Sequence, residues 1–568
     1  MFEQKQVTLL GKKENKTSVN PFLAATIKES VTTKSANGAL KFDGTADEFV
    51  NQFGSLGSFK EERSFKDVSK SMSVLWAISP RFTVMFSLFI RMITRVTQLF
   101  DGSKTETVQR GAGLKNEGIL RMMWINIYHR EVFWKNIELF ISVGAWKDII
   151  QMLNLDLQYN GWKNRALDWD AFGKLILGGL ENPNTSELIK KYLPQIQSGS
   201  NLTTLNNQAD TAIGKWICSL LYGGKTEDNA YWKYKLYRQM KASGTAHQWQ
   251  QLISKGQHKL IDFNTIHGRA LSQIVSSDYL KNHGLEDSYT KWIESKPIAK
   301  FTGYVYELAS KIVSANTKYK QDTINKQYEG LLKLAGKVQT RWMVVKDNSG
   351  SMDLRAISTG VTAYMVAKSL SIYFANLLEG PFHNHYIDFS NKSTMNRLKG
   401  SNFVEYWNNE VRRAHSNTNF ISIADLLVDA LNSGVREDFF PEGLILLSDG
   451  EFDSPQFSEY KSNNKIFSAT NLEAFRIRLK RGGFSKSFVD NFKLCFWDIR
   501  NNATSTKGAK YETHELEKNV FYMSGFDGAI ITFLTGVEGE NKEQALPTNA
   551  KELFLASMKQ EILERVEI

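Results

Sequence analysis

Residues 342–352 read WMVVKDNSGSM: an apolar, partly β-branched run from Trp342 to Val345, then Lys346, Asp347 and a polar loop. A short apolar run bounded by turn residues is the pattern of a strand buried on both faces, as in parallel sheets covered by helices on either side. The residues after the loop, Ile357 to Leu378, place their apolar positions at helical spacing. The alternation then continues. His383–Phe389, Leu444–Leu447, Phe492–Trp497 and Val520–Met523 read as strands, separated by helical patterns at Ile421–Leu431 and Leu472–Arg481. This order predicts a doubly wound α/β domain over residues 339–536. The tail, 537–568, ends in an amphipathic helical stretch, AKELFLASMKQEILERV, for which Thr548 or Asn549 is a natural N-cap.

Upstream the texture is helical from residue 58 to 338. Met72–Phe100 is broken at Pro80, and Glu117–Phe140 places Ile119, Met122, Met123, Ile127 and Phe133 at helical intervals. Glycines punctuate this region as helix ends do, which predicts an all-α domain built from antiparallel helix pairs. Residues 1–57 are rich in Ser, Thr, Asn, Gly and Lys without a sustained apolar period, and read as a loosely structured arm.

A chain of 568 residues is long enough for two or three cores. Its two cysteines, Cys218 and Cys495, both sit in apolar runs, so neither a disulfide framework nor a cysteine zinc site is readable. The first residues, MFEQKQVTLLGKKENK, lack the apolar core of a signal peptide. The longest apolar run, Phe82–Ile90, is followed by Arg91 and Arg95 and is too short to span a bilayer. A cytoplasmic protein with no membrane partner is expected, and virion association stays open. Charge is unevenly distributed: residues 1–340 hold 45 Lys and Arg against 31 Asp and Glu (net +14), the remainder 26 against 29 (net −3). A basic module for a polyanion joined to a near-neutral one fits that split, as do lysines decorating solvated helix faces.

The loop Asp347-Asn348-Ser349-Gly350-Ser351-Met352 sits at the carboxyl end of the first strand, where open parallel sheets place their ligands. Two further oxygen donors fall in equivalent loops: Thr418 in HSNTNF and Asp449 in LILLSDGEFD. Asp347, Ser349, Ser351, Thr418 and Asp449 together offer two carboxylates and three hydroxyls, a hard-oxygen set suited to Mg²⁺, with Mn²⁺ or Ca²⁺ as alternatives. Neutral hydroxyls leave such an ion electrophilic toward a carboxylate or phosphate oxygen. Capping a helix and tying down a loop would use the same residue types. Asp353, Glu451 and Asp453 lie beside the set as supporting or solvated residues. The histidines form no HExxH pattern, and P-loop and Gly-x-Ser-x-Gly motifs are absent, so the chain is expected not to be an enzyme.

In the basic half, Lys233, Lys235, Arg238 and Lys241 interleave with Tyr231, Trp232, Tyr234 and Tyr237. Cations beside aromatic faces supply phosphate attraction and base stacking, although tyrosines at helical spacing are also ordinary core. His267 and Arg269 are further RNA-facing candidates.

The Asp-x-Ser-x-Ser loop with its downstream Thr418 and Asp449 resembles the metal-ion-dependent adhesion site of von Willebrand factor A domains. That resemblance implies direct coordination by Ser349, Ser351 and Thr418, with the aspartates binding directly or through water. Over residues 60–540 or so, the chain resembles the TROVE family of Ro-type ribonucleoproteins, and in particular its plant and bacterial relatives. The carrying stretches are VQTRWMVVKDNSGSM (338–352), NTNFISIADLL (417–427), LILLSDGEFD (444–453), NFKLCFWDIRN (491–501) and FYMSGFDGAIITFL (521–534). More loosely, RGAGLKNEGILRMMWI (110–125), GAWKDII (144–150), LYRQMKASGTAHQWQ (236–250) and FNTIHGRAL (263–271) share in it. The family implies HEAT-like helices closing into a ring that binds small structured or misfolded noncoding RNA, with the metal-bearing domain completing the ring. A non-enzymatic RNA-binding scaffold is the function expected. The alternative is a metal-dependent protein–protein interaction or assembly module, chaperone-like or virion-associated, whose ion takes an acidic group of a partner. A metal-dependent hydrolase ranks last, because no general base is identifiable.

Overall fold

The computed structural model describes residues 32–34, 40–42, 44–60, 63–98, 106–223, 230–244, 248–266, 268–353, 355–357, 360–412, 417–453, 470–499, 511–513, 515–537 and 546–568. WMVVKD forms β1 (Trp342–Asp347), central in a six-stranded sheet with β2 (His385–Phe389), β3 (Thr394–Arg397), β4 (Gly443–Ser448), β5 (Lys493–Asp498) and β6 (Val520–Ser524). The strand order is β3-β2-β1-β4-β5-β6. All neighbours pair in parallel except β2 and β3, which pair antiparallel at one edge. The order reverses at β1/β4, so the crevice beyond the carboxyl ends of those two strands is the place this topology offers to a ligand.

Alternate residues of each strand sort into two separate cores, because successive side chains of a strand point to opposite faces. Met343, Val345, Leu444, Leu446, Leu494 and Phe496 pack with the helices Ile421–Asn432 and Asn471–Arg481. Trp342, Val344, Ile445, Leu447, Cys495 and Trp497 face the other way, onto α1 (Ala363–Leu377). Both faces are covered, which is why the strands read as unbroken apolar runs. A Cβ on Gly443 would lie 2.8 Å from the Lys493 Cβ and 2.9 Å from the Trp342 ring, so β4 begins with the one residue that lets Trp342 cover it.

The region before β1 is helical, with major helices at Phe65–Ile78, Pro80–Arg91, Lys115–Tyr128, Trp146–Asn160, Trp169–Glu181, Leu205–Tyr222 and Lys318–Ala335. Ser79 closes one helix and caps the next, its hydroxyl accepting from the Phe82 amide, so the expected break at Pro80 is present. No helix among the described residues is long and apolar enough to cross a membrane. One apolar core runs from Phe49 to Val566 through both halves of the chain. The Tyr328 ring stacks on Phe403 at 4.2 Å, and its hydroxyl donates to Asn376 Oδ1 at 2.6 Å, joining Lys318–Ala335 to α1.

Several boundaries differ from expectation. The end of the N-terminal arm is ordered: Asp47 caps a helix, Glu48–Phe53, that buries Phe49, Val50 and Phe53. Six residues are too few to show a period. The helix expected to reach Phe100 ends at Arg91, and Arg95–Gln98 pairs with Glu106–Gln109. There the β-branched residues Val96 and Val108 pair across the strands and favour a ribbon. α1 starts at Ala363, not Ile357, capped by Thr362 after a turn at Gly360 (φ +83°). The tail helix is broken at Lys559 and Gln560 into Ala550–Met558 and Glu561–Glu564, with Asn549 as N-cap. Nor is it an appendage, since Phe554 meets the rings of Phe49, Phe53, Phe82 and Phe86 at 5.2, 5.9, 6.1 and 5.4 Å. Phe554→Ala is expected to lower stability by about 3–5 kcal/mol in urea unfolding followed by tryptophan fluorescence, the cost of a large cavity among rings. A cost below about 1 kcal/mol would mean that the tail does not share the core.

Candidate metal centre

β1 delivers Asp347 to the switch point fully buried. Its Oδ1 accepts from the Ser349 amide at 2.8 Å and its Oδ2 from the Ser448 hydroxyl at 2.6 Å. Ser448 ends β4, and its oxygen also accepts from the Gly450 amide at 2.9 Å. Gly450 has φ +74°, a conformation that turns the chain sharply after the strand. The loop thereby brings Asp449, itself buried, toward Asp347. Ser349 and Ser351 lie side by side, their hydroxyl oxygens 3.1 Å apart, and Ser349 is buried while Ser351 is partly open.

Thr418 is held by a reciprocal pair: its amide donates to Asp453 Oδ2 at 2.8 Å, and the Asp453 amide donates to the Thr418 carbonyl at 3.0 Å. The next amide, Asn419, donates to the Ser390 carbonyl beyond β2 at 2.7 Å. Asp453 therefore serves as a clamp between two loops, the supporting place expected for it. Removing that support while leaving every donor oxygen in place, as in Asp453→Ala, is expected to weaken Mg²⁺ affinity about 10–100-fold by calorimetry. An unchanged affinity would show that Thr418 is positioned by other contacts.

The residues fit a hard divalent cation. Among the described residues no group of three or more His, Cys, Asp or Glu offers a metal site, so the set rests on two carboxylates and three hydroxyls. Burial first, then the neighbouring Asp449 charge, pushes the Asp347 carboxyl up to about 7. Ser349 and Ser448 bond Asp347, but among the described residues no basic side chain does. A cation between two such carboxylates relieves both effects. An unperturbed Asp titrates near ~3.9. Without metal, then, the folded chain holds a proton that the unfolded chain releases between about pH 4 and 7. The stability this proton contributes is present in acid and lost as pH rises through 7. A metal ion would bind the ionised form. The Mg²⁺-induced rise in melting temperature is therefore expected to be large at pH 8 and small at pH 5.5, with apparent affinity falling up to about tenfold per unit below pH 7. A rise independent of pH would exclude Asp347 from the site.

Three neighbours escaped the sequence reading. Arg412 donates to the Ser349 carbonyl at 3.0 Å, pairs with Asp353, and lies 4.0 Å over the Tyr364 ring. Behind β1, Lys346 is fully buried and pairs with Asp388 at 3.2 Å and with Glu410. Glu410 also receives Lys368 at 2.9 Å and the Tyr364 hydroxyl at 3.1 Å. Burial alone would raise the Glu410 carboxyl, but Lys346 and Lys368 together hold it below the usual range. This network anchors the segment that carries Arg412 to the strand that carries Asp347. A lysine in the apolar run WMVVKD was the available signal, since a buried ammonium needs partners.

The RNA candidates are dispersed. On the helix Ala230–Ala242, Trp232 is 49% exposed with the Lys235 ammonium 4.5 Å over it, and Arg238 is exposed. Lys233 and Tyr234 are half-buried, while Tyr237 is core, its hydroxyl donating to the Pro194 carbonyl at 2.9 Å. Lys241 turns toward a separate cleft. Arg269 is engaged by both oxygens of Glu307 at 2.6 and 2.7 Å. The side chain of Tyr231 and all of His267 lie outside the described residues.

A family model described as a domain of unknown function (DUF7788) matches residues 342–565, from the first residue of β1 to the end of the last helix. The tail is thus matched together with the sheet. The chain is also similar to an uncharacterized protein, L728, of Acanthamoeba polyphaga mimivirus, 23% identical over 403 residues. That alignment covers 62% of this chain, which spans 64% of the length of the relative.

Proposed function

We propose that this chain is a non-enzymatic RNA-binding scaffold of the TROVE type, whose α/β half holds a divalent cation in a site of the von Willebrand A kind. The observation that carries the metal reading is the meeting of Asp347, Ser349, Ser351 and Ser448 at one switch point, with Asp449 acting on Asp347 and Asp453 clamping Thr418. Ser349, Ser351 and Thr418, with the two aspartates, would hold the ion. The ion supplies an electrophilic point for a carboxylate or phosphate oxygen. The RNA reading is supported by the +14 balance of residues 1–340 and by the exposed Trp232, Lys235 and Arg238.

Nucleic acid that copurifies with the native protein tests the reading, through the 260/280 nm absorbance ratio and sequencing before and after a high-salt wash. Defined small RNAs released by salt are the expected result. Protein free of nucleic acid shifts the weight to the second reading, a metal-dependent protein interaction module.

A further inference from the structure

The helical half contains a polar cleft of about 420 Å³ between the helices Trp146–Asn160 and Leu205–Tyr222 and the segment 192–197. Three lysines reach it from three elements. Lys115 is the first residue of Lys115–Tyr128, Lys147 lies in the first turn of Trp146–Asn160, and Lys241 lies in the last turn of Ala230–Ala242. Among the described residues none of the three ammonium groups makes an ion pair or a hydrogen bond. The single carboxylate in the lining, Asp210, accepts from Asn154 Nδ2 at 2.5 Å.

Three cations against one carboxylate repel each other in a partly desolvated space, where Coulomb terms exceed their value in water. Burial lowers the Lys115 and Lys241 ammonium groups below their usual range, and the charges of Asp148 and Asp210 offset it only in part. Lys115 and Lys147 both lie in the first turns of their helices, whose amide ends add further positive potential. The half-buried Tyr192 ring and the Gln151 and Gln197 amides also line the cleft. A polar volume of this size lies in the range of roughly 300–1,000 Å³ typical of small-ligand sites.

We propose that this cleft binds the phosphate of a nucleotide, with Lys115, Lys147 and Lys241 on the phosphate oxygens and Tyr192 with the amides on the sugar and base. The ligand chemistry is shared by the terminal nucleotide of an RNA strand and by a free nucleotide. As an RNA-end site it rests on the RNA reading above; as a nucleotide site it stands without it.

The test uses the full chain, with AMP in calorimetry and a fluorescent ten-nucleotide RNA carrying a 5′-phosphate or a 5′-hydroxyl in anisotropy. Lys147→Gln and Lys241→Gln are the variants, each checked to melt within about 2 °C of wild type. At least one phosphorylated probe is expected to bind, and to lose about tenfold in affinity on either substitution. Binding of the phosphorylated RNA without AMP assigns the cleft to strand ends, and the converse assigns it to free nucleotides. The proposal is overturned if neither AMP nor the 5′-phosphate improves on the 5′-hydroxyl probe, or if both variants stay within twofold of wild type. Structured RNA separates the two readings. Cleft binding of AMP with no affinity for structured RNA retains the cleft and overturns the RNA scaffold. Undiminished structured-RNA binding in both variants, without a phosphate preference, does the reverse.

Discussion

Asp347→Asn is expected to abolish the Mg²⁺-dependent rise in melting temperature while leaving the metal-free protein, at pH 8, as stable as wild type or more so. The amide keeps a carbonyl oxygen for the Ser349 N–H and an NH₂ group for the Ser448 oxygen, so the loop retains both of its ties. It removes the charge that burial and Asp449 oppose. In wild type, Mg²⁺ bound at this site would, at about 100 times its dissociation constant, stabilise the fold by about 2.7 kcal/mol. In the variant that contribution falls to near zero. Two differential scanning experiments, with Mg²⁺ and with EDTA, read both effects. Most point substitutions destabilise, so a variant that stabilises the metal-free form and loses the metal response separates a ligand from a structural cap. An ordinary destabilisation with the Mg²⁺ response intact would place Asp347 among the capping residues.

Structured RNA binding by wild type is expected to weaken on the order of hundredfold between 50 and 200 mM salt, as about four or five phosphate contacts require. Reversing Lys233, Lys235 and Arg238 together to Glu is expected to cost a similar factor and to flatten the salt slope by about three. The Trp232 face still stacks on bases in that variant, so residual binding keeps only the weak salt dependence of about one or two phosphate contacts. Asp347→Ala should change RNA affinity less than threefold. If the metal centre is instead the main contact, the order inverts: the Asp347 variant loses binding and the helix variant keeps it. Filter binding of one hairpin RNA at four salt concentrations distinguishes the two.

The strand-loop-helix sequence around Asp347 was legible because two-sided burial leaves an unbroken apolar run, and a polar loop directly after such a run must lie at a strand end. β4, β5 and β6 were legible for the same reason. The edge strand β3 was not: Thr394, Met395, Asn396 and Arg397 alternate between half-buried and exposed positions, and nothing in their composition marks a strand. The helix Glu48–Phe53 owes its structure to partners distant in sequence. Phe49, for instance, stacks on Phe554. No local pattern carries such information. The same holds at the site, where Asp347, Thr418 and Asp449 could be chosen from spacing, whereas Arg412 and Glu410 are defined only by what they touch. The basic stretch around Lys233 shows the opposite case: one helix divides into a core tyrosine, Tyr237, an exposed Trp232 and Arg238, and a cleft lysine, Lys241. Residue types interleaved in the sequence face three different environments.

Anomalous diffraction from crystals grown with Mn²⁺ tests the metal centre most directly. A peak at the carboxyl ends of β1 and β4, within coordination distance of Ser349, Ser351 and Thr418 and absent from Asp347→Asn crystals, is the predicted result. No peak there at millimolar Mn²⁺, with ordered loops at 347–352 and 417–420, would contradict it.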